Sequence, residues 1–363
     1  MCRRDRNLFL PCGRYYTGRF SLSRFGIGQL TWRARLEKAV MARQFVNTLT
    51  DGAQVDEVYL LADRQLRANR NADLYLLAQL RDRTGQISGF FWNISESQVA
   101  HLQPGQYVHV RGKTQLYQGN MQVILTRIEG VDETGLQQSD FIQTTSHDTE
   151  RLLGRLREIL LGIDHPDLRG LVTCFLDDPN ITEPLSQAPA GIRLHHAYHG
   201  GLLEHIVNLL ETIVRIADLY PKVDSRLLLV GAFLHDIGKI RELTWDPTFG
   251  YSDEGQLIGH LAIGIEMFDE KASEFAARYG RDFPEELSLR IKHMILSHHG
   301  TYEHGSARLP MTPEAIALHH LDNLDAKVNE FATLIQADPN SQSTWTPFHA
   351  NIQRRIFKGA GSS

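Results

Sequence analysis

The sequence predicts a multidomain chain, a small all-β barrel over residues 41–130 followed by an all-α helical bundle over residues 151–335. Three observations predict it. Between residues 53 and 130, strand-length apolar segments alternate with turn residues. From Glu150 onward, apolar residues recur at helical spacing. Twelve of the seventeen histidines fall between His195 and His320, and several of them interrupt those helical stripes.

Residues 1–40 hold nine Lys and Arg against two Asp and Glu, so the rest of the chain is more acidic than the overall net charge of -5. No hydrophobic period accompanies that basic excess, and MARQFVNTL from Met41 reads as a start of its own. Residues 1–40 are expected to be a disordered basic extension. An upstream extension from a misplaced start codon is one alternative, and an organellar transit peptide is another for an Arg-rich, acid-poor leader. The apolar Leu8–Leu10 is too brief for a secretory signal.

The strand segments come next: Val55–Leu61, Leu74–Leu80, Gly85–Trp92, Tyr107–Gly112 and Met121–Ile128. Turn chemistry separates them at Asn69–Asn71, Asp82–Gly85, Pro104-Gly105 and Gly119-Asn120. Five short strands in under about 90 residues fit an OB-fold. Tyr59, Tyr75, Phe90, Trp92 and Tyr117 are the expected stacking platforms for unpaired bases, with Arg111 and Lys113 against the backbone. Tyr107, Arg81 and Arg83 are further candidates for such contacts. Alternation sets Phe91 opposite Phe90 and Trp92, so one of those sets must face the core. With eight Lys and Arg against seven Asp and Glu in residues 53–130, stacking outweighs charge in this reading. The stretches LRDRTGQISGFFWN and LQPGQYVHVRGKTQLYQGNMQVILTRIEG resemble the nucleic-acid-binding OB-folds of the tRNA-anticodon type.

Residues 131–150 are polar and without period, as expected of a linker. Helical patterns follow at Glu150–Leu161 and Leu168–Leu176, and residues 336–363 are expected to be a partly ordered tail.

The chemistry centres on His235-Asp236-Ile237-Gly238-Lys239, which closes the apolar run Leu227–Leu234. Burying two ionisable side chains there costs several kcal/mol unless something compensates them. A divalent cation does so, because imidazole and carboxylate are both standard ligands. The remaining donors are the residues that break buried stripes. His205 lies among Leu202, Ile206, Leu209, Leu210, Ile213 and Ile216, and His260 among Leu257, Leu261, Ile265 and Phe268. His298 and His299 end the stripe of Leu287, Ile291, Met294 and Ile295. Asp322 and Asp325 ride inward with Leu318, Leu321, Val328 and Ala332. One such histidine is ordinarily a hydrogen-bonded core residue, but six buried polar groups would each need a separate partner. His293 falls off the stripe and is read as surface or supporting; His304 is read as exposed.

The order His205, His235-Asp236, His260, His298-His299, Asp322 resembles the HD-domain superfamily of metal-dependent phosphohydrolases over about residues 190–330. That resemblance implies two ions bridged by Asp236. His205, His235 and Asp322 would complete one site and His260, His298 and His299 the other. Two ions about 4 Å apart can activate a hydroxide nucleophile and stabilise the leaving oxygen of a phosphodiester. Asp236 and Lys239 are the expected catalytic residues, Lys239 meeting a phosphate oxygen as a point charge unless it is an ordinary surface lysine. His195, His196 and Asp325 are expected behind the ligands or against substrate.

A barrel followed by such a domain resembles the YhaM-type 3′-to-5′ exoribonuclease family over about residues 45–335. The closest local matches are GIRLHHAYHGGLLEHIVNLL, LSHHG and LHHLDNLDAKVN. The family implies manganese-type metal dependence, shortening of single-stranded RNA from its 3′ end and release of nucleoside 5′-monophosphates. Single-stranded DNA is a second candidate substrate, and iron, cobalt, nickel or zinc also suit mixed His/Asp donors. The basic extension and His199 depart from the family pattern.

Two other readings stand beside this one: a phosphodiesterase for cyclic dinucleotides or small nucleotides, and a non-catalytic OB nucleic-acid-binding protein. Against the former, GTYEHGSARLP follows His299 with no Gly-Tyr-Pro. Cys2, Cys12 and Cys174 form no metal or disulfide pattern, which fits a reducing, cytoplasmic setting. No apolar run approaches the roughly 18 residues of a membrane span, so no membrane is expected as a partner. A homo-oligomer is compatible with the sequence.

Overall fold

The computed structural model describes residues 43–69, 71–141, 145, 147–192, 196–246, 249–338, 340 and 343–359. The expected basic extension and His195 lie outside the described residues. Gln44–Ser363 forms one compact unit.

Its first part is a closed barrel of β1 (Gln54–Ala68), β2 (Leu74–Asp82), β3 (Gly85–Trp92), β4 (Tyr107–Tyr117) and β5 (Asn120–Gly130), in the order β1-β2-β3-β5-β4. β1 closes the ring on β4, and every pair is antiparallel except β3 with β5. A short helix α1 (Glu96–Val99) joins β3 to β4 and adds Val99 to the barrel core. This is an OB-fold. Alternation fixes which residues fill it: Leu76, Ala78 and Leu80 from β2, Ile87 from β3, Val123 and Leu125 from β5. Gly112 on β4 is a place of close approach, since a Cβ there would lie 2.3 Å from the Ile124 carbonyl oxygen. The β4–β5 turn has positive φ at Gln118 (50°) and Gly119 (82°), the two-residue hairpin geometry that matches strand twist.

Among its described residues, the segment after the barrel packs against it at Phe141. Phe141 is fully buried and meets Tyr107 edge-on at 4.6 Å.

The second part comprises α2 (Thr149–Leu161), α3 (Pro166–Leu176), α4 (Pro179–Gln187), α5 (Gly201–Ile216), α6 (Ser225–Leu234) and the single turn α7 (Lys239–Glu242). The two-residue strands β6 (Leu243–Thr244) and β7 (Gly250–Tyr251) follow, then α8 (Asp253–Leu257), α9 (His260–Tyr279), α10 (Glu285–Ser297) and α11 (Pro313–Gln336). α6 is the central helix, buried from Leu227 to Leu234 on all sides. The Asp224 carboxylate caps it by accepting from the backbone N–H groups of Arg226 and Leu227. Gly231 admits the Met294 side chain, whose sulfur would lie 2.4 Å from a Cβ at that position.

Two stripes differ from the sequence expectation. The helix carrying His260 starts at His260 itself, because Gly259 (φ 79°) breaks it from α8; Leu257 ends α8 and is exposed. The stripe facing the core is Ile263, Gly264, Met267 and Phe268. Val328 is likewise exposed, since α11 runs past the end of the core and is buried only as far as Leu318 on its apolar face.

Barrel and bundle meet directly. The Arg81 guanidinium on β2 lies 4.3 Å from the Phe249 ring centroid, and Phe249 stands 5.4 Å from the His199 ring. The tail, expected without pattern, closes into a small hairpin through antiparallel bridges at Trp345–Phe357 and His349–Arg354. Among the described residues, no helix is long and apolar enough to cross a membrane.

Candidate metal centre and nucleic-acid face

Five helices deliver the donors. His205 sits in α5, His235 and Asp236 follow the last turn of α6, His260 opens α9, His298 and His299 follow α10, and Asp322 and Asp325 lie one turn apart on α11. The turn Asp236–Lys239 is held tight against α9: a Cβ on Gly238 would sit 2.2 Å from the His260 carbonyl oxygen.

Four of the rings are aimed by Nδ1. His235 Nδ1 donates to the Ala232 carbonyl (2.8 Å) and His298 Nδ1 to that of Ile295 (2.9 Å). His205 Nδ1 meets Asp325 Oδ2 at 2.7 Å, and His260 Nδ1 meets Glu242 Oε1 at 3.0 Å. Carbonyls and carboxylates only accept, so Nδ1 carries a proton in each of these four rings, and in the neutral ring the Nε2 lone pair is the one that faces inward. Those Nε2 atoms converge on two carboxylates. His235 Nε2 is 3.3 Å from Asp236 Oδ2; His260 and His298 Nε2 are each 3.5 Å from Asp236 Oδ1. Asp322 Oδ1 lies 3.3 Å from His205 Nε2 and 3.9 Å from that of His235.

Donor atoms within 4.8 Å of one another form four overlapping sets: His260, His298 and His299; His235, His298 and Asp322; His205, His235 and Asp236; His196, His205 and Asp325. His298 thus belongs to both neighbourhoods rather than to one. Among the described residues, Asp236 Oδ1, His260 Nε2 and His299 Nδ1 are buried without a hydrogen-bond partner. Such atoms are costly unless a ligand meets them. The donor set and these orphaned atoms fit divalent cations.

Charge supports the same reading. Burial alone would raise the Asp236 carboxyl, but the Lys239 ammonium and the His235 ring outweigh it and hold it well below the usual carboxylate range. Against the same opposing effect of burial, His205 hydrogen bonding keeps Asp322 low, and His196 and His205 keep Asp325 low. Burial disfavours a charged His205, yet Asp322 and Asp325 push it up to about 9. An environment that holds a proton so firmly holds a divalent cation for the same electrostatic reason. His299 is lowered to about 4, by burial first and His298 second, and so offers a free nitrogen at neutral pH.

Lys239 is no exposed helix-end lysine. Its side chain is only 13% exposed, with Nζ donating to Asp236 Oδ2 (2.6 Å) and to the Ala190 carbonyl (2.7 Å). His196 stands behind His205, with Nε2 2.9 Å from Asp325 Oδ2 and Nδ1 2.8 Å from the Tyr198 hydroxyl. His293 accepts from the Met311 N–H (2.8 Å), and His304 is exposed. Sequence reasoning missed Glu242. It is buried and orients His260 through both that ring and its backbone N–H (3.0 Å). The available signal was a charged residue one turn after Lys239 in a segment too short to have a solvent face of its own.

On the barrel, Tyr75, Phe90 and Trp92 share the outer face of β2 and β3. Phe90 and Trp92 stack at 5.7 Å, and Tyr75 lies 4.6 Å from Trp92. Tyr117 projects from the β4–β5 turn and Lys113 is exposed on β4. One expected contact is corrected. Tyr59 lies on the inward register of β1, fully buried, with its hydroxyl donating to the Gln44 carbonyl (2.7 Å), so it offers no face to a base. Arg111, on the same outer face of β4 as Lys113, is partly exposed and ion-paired with Asp56 (3.2 Å).

Comparison with known proteins agrees with both halves. The HD domain family matches residues 202–327, and the OB-fold nucleic acid binding domain family matches residues 61–130. The 3′-5′ exoribonuclease YhaM of Bacillus subtilis (strain 168) is 33% identical over 279 residues, spanning 77% of this chain and 86% of that protein. Its counterpart from Geobacillus sp. (strain WCH70) is also 33% identical over 77% of this chain and 84% of its own. That of Listeria monocytogenes serotype 4b (strain CLIP80459) is 31% identical over 77% and 87%. With the barrel, the histidine-rich bundle and this extended similarity together, the chain belongs to the YhaM family of 3′-5′ exoribonucleases.

Proposed function

We propose that this protein is a metal-dependent 3′-5′ exoribonuclease that removes nucleotides from single-stranded RNA as nucleoside 5′-monophosphates. The observation that carries the reading is the convergence of inward-facing Nε2 atoms on Asp236 and Asp322, with Asp236 Oδ1 and His260 Nε2 buried and unmet. His205, His235 and Asp322 would hold one ion, His260 and His299 another, with Asp236 and His298 placed near both. Bound divalent ions would supply an activated water and charge to stabilise the leaving oxygen. Asp325, Glu242 and the Ala232 and Ile295 carbonyls keep the imidazoles aimed without rearrangement. Lys239 fixes Asp236 through a 2.6 Å ion pair and brings a positive charge beside it that could meet a phosphate oxygen.

In this reading residues 41–130 hold the strand, residues 151–335 cut it, residues 131–150 join the two and residues 336–363 form the tail. Tyr75, Phe90, Trp92, Tyr117 and Lys113 are the contacts to RNA. The family resemblance favours manganese, while the mixed nitrogen and oxygen donors suit iron, cobalt, nickel and zinc as well. Stacking does not distinguish sugars, so single-stranded DNA is proposed as a second substrate. The sparse cysteines favour the cytoplasm.

The test is incubation with 5′-labelled single-stranded RNA across a panel of divalent metals. The expected result is a ladder of shortening 5′-labelled products and release of nucleoside 5′-monophosphates. Internal cuts, or full activity after dialysis into excess chelator, would sink the reading.

A further inference from the structure

The tail is more than an ending. Residues 343–359 form a hairpin built on a few buried points: Ile356 and Thr346 are buried, and Lys358 Nζ pairs with Asp338 Oδ2 at 2.6 Å just beyond α11. Asn351 adds a hydrogen bond to Glu330 on α11 (2.8 Å). On the other side the hairpin abuts the barrel at the β4–β5 turn, where a Cβ on Gly119 would lie 3.3 Å from Pro347 Cγ. This fixed support carries three large rings that stay in solvent: Trp345 (44% exposed), Phe348 (60%) and Phe357 (58%). Trp345 and Phe357 lie 5.0 Å apart. Arg354 and Arg355 are exposed, each giving its Nε–H to a backbone carbonyl, and residues 339–363 contain no Asp or Glu.

Exposed rings interleaved with arginines that have no carboxylate partner among the described residues, Arg355 lying 5.9 Å from the Trp345 ring centroid, suit a polyanion with π-faces better than an apolar protein surface. The position adds to that. OB-folds bind single strands across the β2–β3 face and between the loops at its ends, the β4–β5 loop among them. Here that loop carries exposed Tyr117 and touches the hairpin. We propose that Trp345, Phe348, Arg354, Arg355 and Phe357 form a second RNA-binding surface, continuous with the barrel face through the β4–β5 turn. The proposal rests on the exoribonuclease reading and extends its footprint on the strand.

The test is fluorescence anisotropy with the full chain and phosphorothioate-linked oligouridines. One probe has about 6 nucleotides and the other about 20, beyond the ~4–16 that one OB-fold covers. R354E/R355E should lower the slope of log affinity against log salt for the long probe by about 1.4, from ~0.7 per lost phosphate contact. Phe348→Ala, which leaves the Trp345–Phe357 pair in place, should weaken the long probe about tenfold and the short probe little. Trp345→Ala should act in the same direction. Unchanged affinity and slope in all three variants, with the parent binding normally, would overturn the proposal. So would loss of affinity accompanied by a change in sedimentation, which would mark the hairpin as a self-association face. Failure of the parent protein to bind or shorten RNA at all would instead remove the exoribonuclease reading.

Discussion

His205 is gripped from both sides: Nδ1 lies 2.7 Å from Asp325 Oδ2, and Nε2 lies 3.3 Å from Asp322 Oδ1. The two carboxylates come from one face of α11, one turn apart, so a single helix both supplies a donor and aims its neighbour. Replacing Asp325 by Asn should lower metal affinity about 10- to 100-fold by loosening the ring. Competition against a chromophoric chelator measures this, and parental affinity would mean that His205 is positioned by something else.

Asp236→Ala should abolish RNA hydrolysis with every metal, because the carboxylate faces His235, His260 and His298 together. It also strands the largely buried Lys239 ammonium, which should cost the ion-free protein about 3–5 kcal/mol. Adding Lys239→Met should restore much of that stability and none of the activity. Denaturant titration beside a turnover assay separates the two effects.

Acidity should act twice. His205 is raised to about 9 in the folded chain, so its contribution is fully present below its ordinary value near 6.5 and is lost as pH climbs through about 9. The ion-free protein should therefore lose about 3 kcal/mol across that window, at 1.36 kcal/mol per pKa unit. Asp236, Asp322 and Asp325 are depressed, so their contribution holds above the normal carboxylate range and disappears in strong acid. With metal bound the alkaline loss should vanish, while below about pH 6 protons compete for the imidazoles and activity should fall. Melting curves from pH 5 to 10, with and without manganese, test both signs.

The barrel offers a paired comparison. Trp92→Ala should weaken single-stranded RNA binding about tenfold, by the loss of one stacking platform. Tyr59→Phe should leave affinity unchanged and cost about 1 kcal/mol of stability through its lost bond to the Gln44 carbonyl. Equal effects of the two on affinity would mean that the aromatic ladder is not the RNA face.

Much of this was legible in the chain. Residues that break helical stripes pointed to His205, His260, His298 and Asp322, and five turn-bounded strands pointed to the OB-fold. What escaped is tertiary. Alternation gives β1 two faces without saying which is inside, hence the misassignment of Tyr59. Glu242 is buried only because α9 starts against it, and that start is set by the positive φ of Gly259 rather than by any apolar period. The tail hairpin carries no period because an ion pair and two bridges hold it, not a hydrophobic stripe.

Gly238 has one more implication. The His260 backbone occupies the space a side chain at position 238 would need. The donors at 235 and 236 are therefore locked to the start of a helix more than twenty residues downstream, and neither can be retuned alone. Moving this centre into another helical scaffold would require carrying both segments as one piece. By the same constraint, a degenerate copy of the domain that acquires a larger residue at this position should lose the register of His260 first, before any of the donors themselves has changed.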